Sequence, residues 1–202
     1  MGPVSPPDAA DVRRLLDIIE QEIVPRTRAG VATGNKIFGA AIVRRSDLSV
    51  VVAETNNEIE NPLWHGEIYA IKRFFELQAE ERPAPADCLL LATHEPCSLC
   101  LSGIAWSGFP AFAYLFSHQD SADSFAIPHD LAILRAVYAV PDPDRDAPAA
   151  DRDLYNRVND YFASTALTPL ADAEQLARIS RTYDELSAAY QEHKGGGAIA
   201  HP

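Results

Sequence analysis

The sequence predicts an α/β layered domain followed by a helical extension. Short apolar runs alternate with stretches of helical period, the signature of strands covered by helices. Two of the runs are joined by a short polar link, which adds an antiparallel hairpin. The composition agrees: of 202 residues, 47% are hydrophobic and 23% charged, as in a globular chain long enough to bury a core.

Residues 1–10 are Pro-rich, carry neither the basic nor the apolar stretch of a secretory leader, and are expected to fray. Residues 11–24 place Val12, Leu15, Leu16, Ile19 and Ile23 on one helical face, with Pro25 as the expected stop. The runs 36–43 and 48–53, linked by Arg44-Arg45-Ser46-Asp47, read as the hairpin. An Asn- and Pro-containing loop follows over 55–63. Residues 66–81 form an amphipathic helix with Ile68, Ile71, Phe74, Phe75 and Leu77 inward. Residues 88–92 are a buried strand in which Cys88 is a small core residue. A helix over 96–107 and a strand over 111–116 follow, and 130–140 fits either a helix or a strand. The Pro- and Asp-rich run 141–148 reads as an exposed linker, 151–164 and 172–193 as helices, and 195–202 as a flexible tail. The expected division is therefore a catalytic domain over 1–140 and an extension over 141–202.

Lys and Arg number 17 against 29 Asp and Glu, a formal net charge of -12. Such a surface repels phosphate backbones and anionic lipid, so neither a nucleic acid nor a membrane surface is the expected partner. No apolar run reaches the roughly 18 residues of a spanning helix. Three Cys, two of them close together, argue for a reducing compartment, here the cytoplasm, and for a metal or catalytic role rather than a disulfide framework.

Two short segments carry chemistry. His65-Gly66-Glu67 opens one helix, and Pro96-Cys97-Ser98-Leu99-Cys100 follows a buried strand and opens another. Cys97 and Cys100 lie on one helical face. Unpaired N–H groups and the helix dipole at that end favour the thiolate, the form that binds metal. His65 adds an imidazole, giving three ligands: a set that leaves a tetrahedral zinc one open position, as catalytic sites do. Glu67 can sit beside that position and carry a proton without binding the metal. A redox Cys-x-x-Cys is the competing reading, but such sites usually carry a Trp before the first Cys, and here Glu95-Pro96 precedes it.

The pattern H-x-E with P-C-x-x-C is the signature of zinc base deaminases. Over about residues 30–135 the chain resembles the cytidine deaminase-like superfamily, in its guanine deaminase, cytosine deaminase and tRNA adenosine deaminase branch. The matching pieces are Phe38-Gly39-Ala40-Ala41-Ile42, His65-Gly66-Glu67 and Glu95-Pro96-Cys97-Ser98-Leu99-Cys100. The resemblance implies a three-layer α/β/α sandwich around a mixed central sheet of about five strands. It implies one zinc ion per chain and hydrolytic deamination of a free base, nucleoside or related aminated heterocycle, with ammonia released. Glu67 would protonate a ring nitrogen. Substrate contacts are implied for Phe38, Ala40, Glu95 and an Asn after the second strand. Asn56 and Asn57 are both candidates for that Asn, and Glu54 points to Asn57. Trp106 falls where guanine deaminases carry a Trp and is either a pocket wall or a core residue, whereas Gly66 looks like cytosine deaminases. His94 is either a substrate contact or a framework residue. Most relatives are oligomers, so a homodimer is expected. A tRNA-editing deaminase and a non-catalytic zinc protein are the alternatives; the acidic charge speaks against the first and Glu67 against the second.

Overall fold

The computed structural model describes residues 7–138 and 159–194. The 141–148 linker, the tail from 195 and most of the first expected extension helix lie outside the described residues.

Asp8 starts the first helix rather than fraying: its carboxylate accepts the N–H groups of Ala10 and Asp11, and Asp11 returns the bond. Helix α1 (Ala9–Ile18) runs through a π-turn (Ile19–Ile23) into α2 (Val24–Ala32), so Pro25 does not end the helix as its sequence position suggested. The wider turn resets the ladder, so Pro25 falls in the first turn of the new α-helical segment, where its missing N–H costs little.

Strands β1 (Gly39–Arg44) and β2 (Val50–Thr55) form the expected hairpin, pairing Ala40 with Glu54. β1 also pairs antiparallel with β3 (Cys88–His94), setting Ala40 opposite Ala92. β4 (Ala111–Phe116) lies parallel to β3, with Leu91 opposite Ala113. Residues 163 and 164, expected to close a helix, instead open β5 (Ala163–Ala166), which lies parallel to β4. The sheet order is β2-β1-β3-β4-β5, a mixed five-stranded sheet.

Alternation along the strands builds a core on each face. Ala40, Ile42, Leu90, Ala92, Phe112 and Tyr114 face α3 (Gly66–Glu76) and α4 (Ser98–Trp106), packing on Ala70, Phe74, Leu101 and Ile104. Ala41, Val43, Leu91, Ala113 and Leu115 belong to the opposite core, with α1, α2 and the long C-terminal α7 (Ala173–His193). The architecture is thus a three-layer α/β/α sandwich closed by a C-terminal helix. α3 stops five residues before its expected end, and Phe75, expected inward, is 43% exposed. α5 (His118–Asp123) and α6 (His129–Tyr138) follow β4 and settle the ambiguous segment as helix.

Candidate metal and active site

The site forms where the N-termini of α3 and α4 meet, beside the carboxyl end of β3. His65 is the N-cap of α3 and Cys97 the N-cap of α4, neither side chain capping its own helix. His65 Nδ1 lies 3.5 Å from Cys97 Sγ and 3.8 Å from Cys100 Sγ, and the two sulfurs are 3.6 Å apart. Tetrahedral zinc with Zn–S of about 2.3 Å and Zn–N of about 2.0–2.1 Å needs donor separations of about 3.6–3.8 Å. The triangle therefore fits one face of a zinc tetrahedron. Among the described residues it is the one group of His, Cys and carboxylate side chains placed to hold a metal ion.

The electrostatics suit a cation. Burial works against a proton on His65, but the Cys97 sulfur and the Glu67 carboxyl outweigh it and lift the imidazole to about 9. The hydrogen bond from Cys100 and the charge of His65 hold the Cys97 thiol well below its usual value. Cys100 is pushed the other way by burial and by that neighbouring sulfur. Glu67, in the first turn of α3 and 5% exposed, is raised to about 7, by burial first and then by Cys97. A carboxyl group poised there exists in both protonation states near neutrality, which a proton carrier requires.

Gly66 is required by close approach. A Cβ at this position would lie 2.9 Å from Gly39 Cα and 3.0 Å from the Phe38 carbonyl oxygen, both backbone atoms. The middle residue of His-Gly-Glu thus answers to the seating of α3 on β1, not to the substrate's shape.

The other sequence candidates divide. Asn56 is buried; its Oδ1 accepts the Gly66 N–H and its Nδ2 donates to Glu58 at 2.7 Å. Asn57 is half-buried and donates to Glu60 at 2.7 Å. Phe38 sits under the start of α3, its ring against His94 with centroids 4.7 Å apart, and Ala40 is wholly buried beneath α3 and α4. The Glu95 carboxylate accepts the backbone N–H of His118 at 3.1 Å, tying the β3–α4 junction to α5. Trp106 departs from expectation: it closes α4 with its indole 92% exposed. The site is at the other end of that helix, roughly 12 Å along its axis, so Trp106 walls neither the pocket nor the core of its own chain.

Three charged groups escaped the sequence reading. Lys36 donates to Glu58 at 3.0 Å, and Glu58 Oε1 lies 3.8 Å from His65 Nε2. Asp130, in the first turn of α6, feels the charges of Cys97, His65, Lys36 and Glu58, and burial raises its carboxyl to about 6. The usable signal was Lys36, a lone cation heading the apolar run Ile37-Phe38.

This donor set could hold a zinc ion with one position left open. Residues 18–116 match the family model "Cytidine and deoxycytidylate deaminase zinc-binding region". Over 90 residues, 43% of its length, it is 31% identical to the guanine deaminase of Bacillus subtilis (strain 168) and covers 54% of that protein. The chain thus spans about half the length of that curated relative. The solved guanine deaminase of Nitrosomonas europaea matches 92% of this chain and 87% of its own, at a TM-score of 0.54 and 17% identity, a likeness of fold. Among the described residues no helix is long and apolar enough to cross a membrane.

Proposed function

We propose that the protein is a zinc-dependent hydrolytic deaminase of a small aminated heterocycle. His65, Cys97 and Cys100 are the zinc ligands and Glu67 is the proton carrier. The observation that carries this reading is the zinc-sized triangle of donor atoms with a near-neutral carboxyl group against it. The 31% identity to a guanine deaminase supports an aminopurine over a pyrimidine.

Zinc, when bound, lowers the pKa of a water to about 7 and so supplies the nucleophile. Glu67 takes the proton that water gives up and passes one to the ring nitrogen, which makes the adjacent amidine carbon electrophilic. The resulting hydroxide adds at that carbon; Glu67 then takes the remaining hydroxyl proton and gives it to the exocyclic nitrogen, so that the C–N bond breaks, ammonia leaves and a carbonyl remains. Asp130, raised to about 6 by burial, lies within electrostatic reach of Cys97 and His65 and is a candidate acceptor for an N–H of the heterocycle. Asn56 rather than Asn57 is the Asn tied to the start of α3, through the Gly66 N–H.

A coupled ammonia-release screen over guanine, adenine, cytosine, their nucleosides and pterin or triazine analogues identifies the substrate. On it, Glu67→Ala is expected to retain one zinc per chain and to lose about 10²–10⁴-fold in turnover. Equal turnover without the carboxylate rejects the mechanism.

The working unit in this reading is a cytoplasmic homodimer. Leu99 and Trp106 stand two turns apart on one face of α4, 36% and 92% exposed, an apolar strip suited to a second copy. The three free thiols fit a reducing compartment. Sedimentation velocity is expected to give twice the 22.0 kDa chain mass for wild type and a larger monomer fraction for Trp106→Ser. A wild-type monomer at micromolar concentration removes the dimer from the proposal.

A further inference from the structure

We infer that Glu58, clamped by Lys36 and Asn56, is a positioning residue for the metal site that orients His65 by its charge. The inference rests on the zinc assignment above, and its test is independent of turnover.

Glu58 lies in the loop after β2 and is almost wholly buried, as is Lys36. Both carboxylate oxygens are engaged: Oε1 accepts Lys36 Nζ at 3.0 Å and Oε2 accepts Asn56 Nδ2 at 2.7 Å. Asn56 in turn accepts the Gly66 N–H, so the clamp is fastened to the first turn of α3 itself. The same Oε1 faces His65 Nε2 at 3.8 Å, on the side of the ring away from the two sulfurs. Two segments, the residues before β1 and the loop after β2, thus set one carboxylate against the outer edge of the imidazole.

Stability does not account for this arrangement. Burying a cation and a carboxylate costs about as much in desolvation as their attraction returns, and apolar residues of similar size generally do as well. What the pair supplies is a fixed negative charge opposite Nε2. For His65 to offer Nδ1 to a metal as a neutral ligand, its proton must sit on Nε2. The Glu58 field favours that form and disfavours the alternative, which would turn the Nε2 lone pair towards a carboxylate and an N–H towards the sulfurs. Carboxylates beyond the ligand shell of zinc histidines act in this way, and their loss typically lowers metal affinity 10–100-fold. Lys36 holds the carboxylate in place, while Asn56 couples it to the start of the helix that carries Glu67 and follows His65.

The test measures zinc affinity by chelator competition in wild type, in Glu58→Gln and in the double variant Lys36→Met/Glu58→Met. The double variant removes both charges at similar volume, so the fold does not have to tolerate an orphaned ion. Both variants are expected to bind zinc 10–100-fold more weakly. In ¹⁵N-edited spectra of the zinc-loaded protein, the His65 Nε2–H signal is expected to move upfield and exchange faster with water in Glu58→Gln. A purely structural role for Glu58 leaves that signal in place. Zinc affinities within two-fold of wild type in both variants, with the Nε2–H signal unmoved, overturn the inference. A wild-type protein that binds no zinc overturns the assignment beneath it instead.

Discussion

His65 and His94 are both largely buried, both beside the same end of the sheet, and opposite in character. His65 is lifted to about 9, whereas His94 is driven down to about 3 by burial and by the nearby His118. His94 is enclosed by the rings of Phe38, Phe116, Phe125 and Tyr183, with centroids 4.7–5.4 Å away, and its Nδ1 meets Thr93 Oγ1 at 2.9 Å. Burial alone makes a histidine neutral and inert; burial among sulfurs and carboxylates makes it hold a cation. The α3–α4 face of the sheet carries the second kind of environment and the α7 face the first. The structure thus settles His94 as a framework residue.

Substitutions can break this contrast in decreasing order of effect. His65→Phe is expected to abolish zinc binding, read as metal content falling from one ion per chain to none, because two thiolates alone leave the site open on two sides. Gly66→Ala, next to it, is expected to cost about 1–3 kcal/mol, since the new methyl meets backbone that cannot swing away. Its melting temperature should drop by several degrees and its zinc affinity with it; an unchanged melt contradicts the close approach of α3 and β1. His94→Phe should be the mildest, losing a hydrogen bond worth about 1 kcal/mol and keeping zinc in full. The pH dependence sharpens that last case. With its folded pKa near 3 against 6.5 unfolded, His94 binds fewer protons in the native state between those values, so its contribution to stability falls as pH drops from about 6.5 to 3. The wild type should therefore lose more stability than His94→Phe over that interval in chemical denaturation; parallel curves contradict the neutral assignment.

The proposed zinc ligands were legible because their geometry is local. Cys97 and Cys100 share a helix face by spacing alone, and both donor segments announce themselves as helix starts. The strands of the core were legible as apolar runs, most cleanly Ala111 to Phe116. What escaped depends on partners far along the chain. Ala163-Ser164-Thr165-Ala166 has no apolar alternation and is a strand because β4 offers it an edge. Lys36, Glu58 and Asp130 look like solvated charges, since nothing local says that the fold gathers them round one imidazole. Pro25 misled because its effect depends on the ladder preceding it, and Trp106 because a motif position does not say which way a helix end faces.

The pairing of β5 with β4 has a consequence for how the chain comes off the ribosome. His65, Cys97 and Cys100 all emerge before residue 163, so every proposed zinc ligand is available while β4 still presents an open edge. Until β5 arrives, that edge is a template for any passing strand. Synthesis of residues 163–193 then closes the sheet and, through Ile179, Tyr183 and Tyr190 of α7, seals the core that α1 began. This part of the nascent chain is therefore most exposed to aggregation after its proposed metal ligands are made and before α7 is.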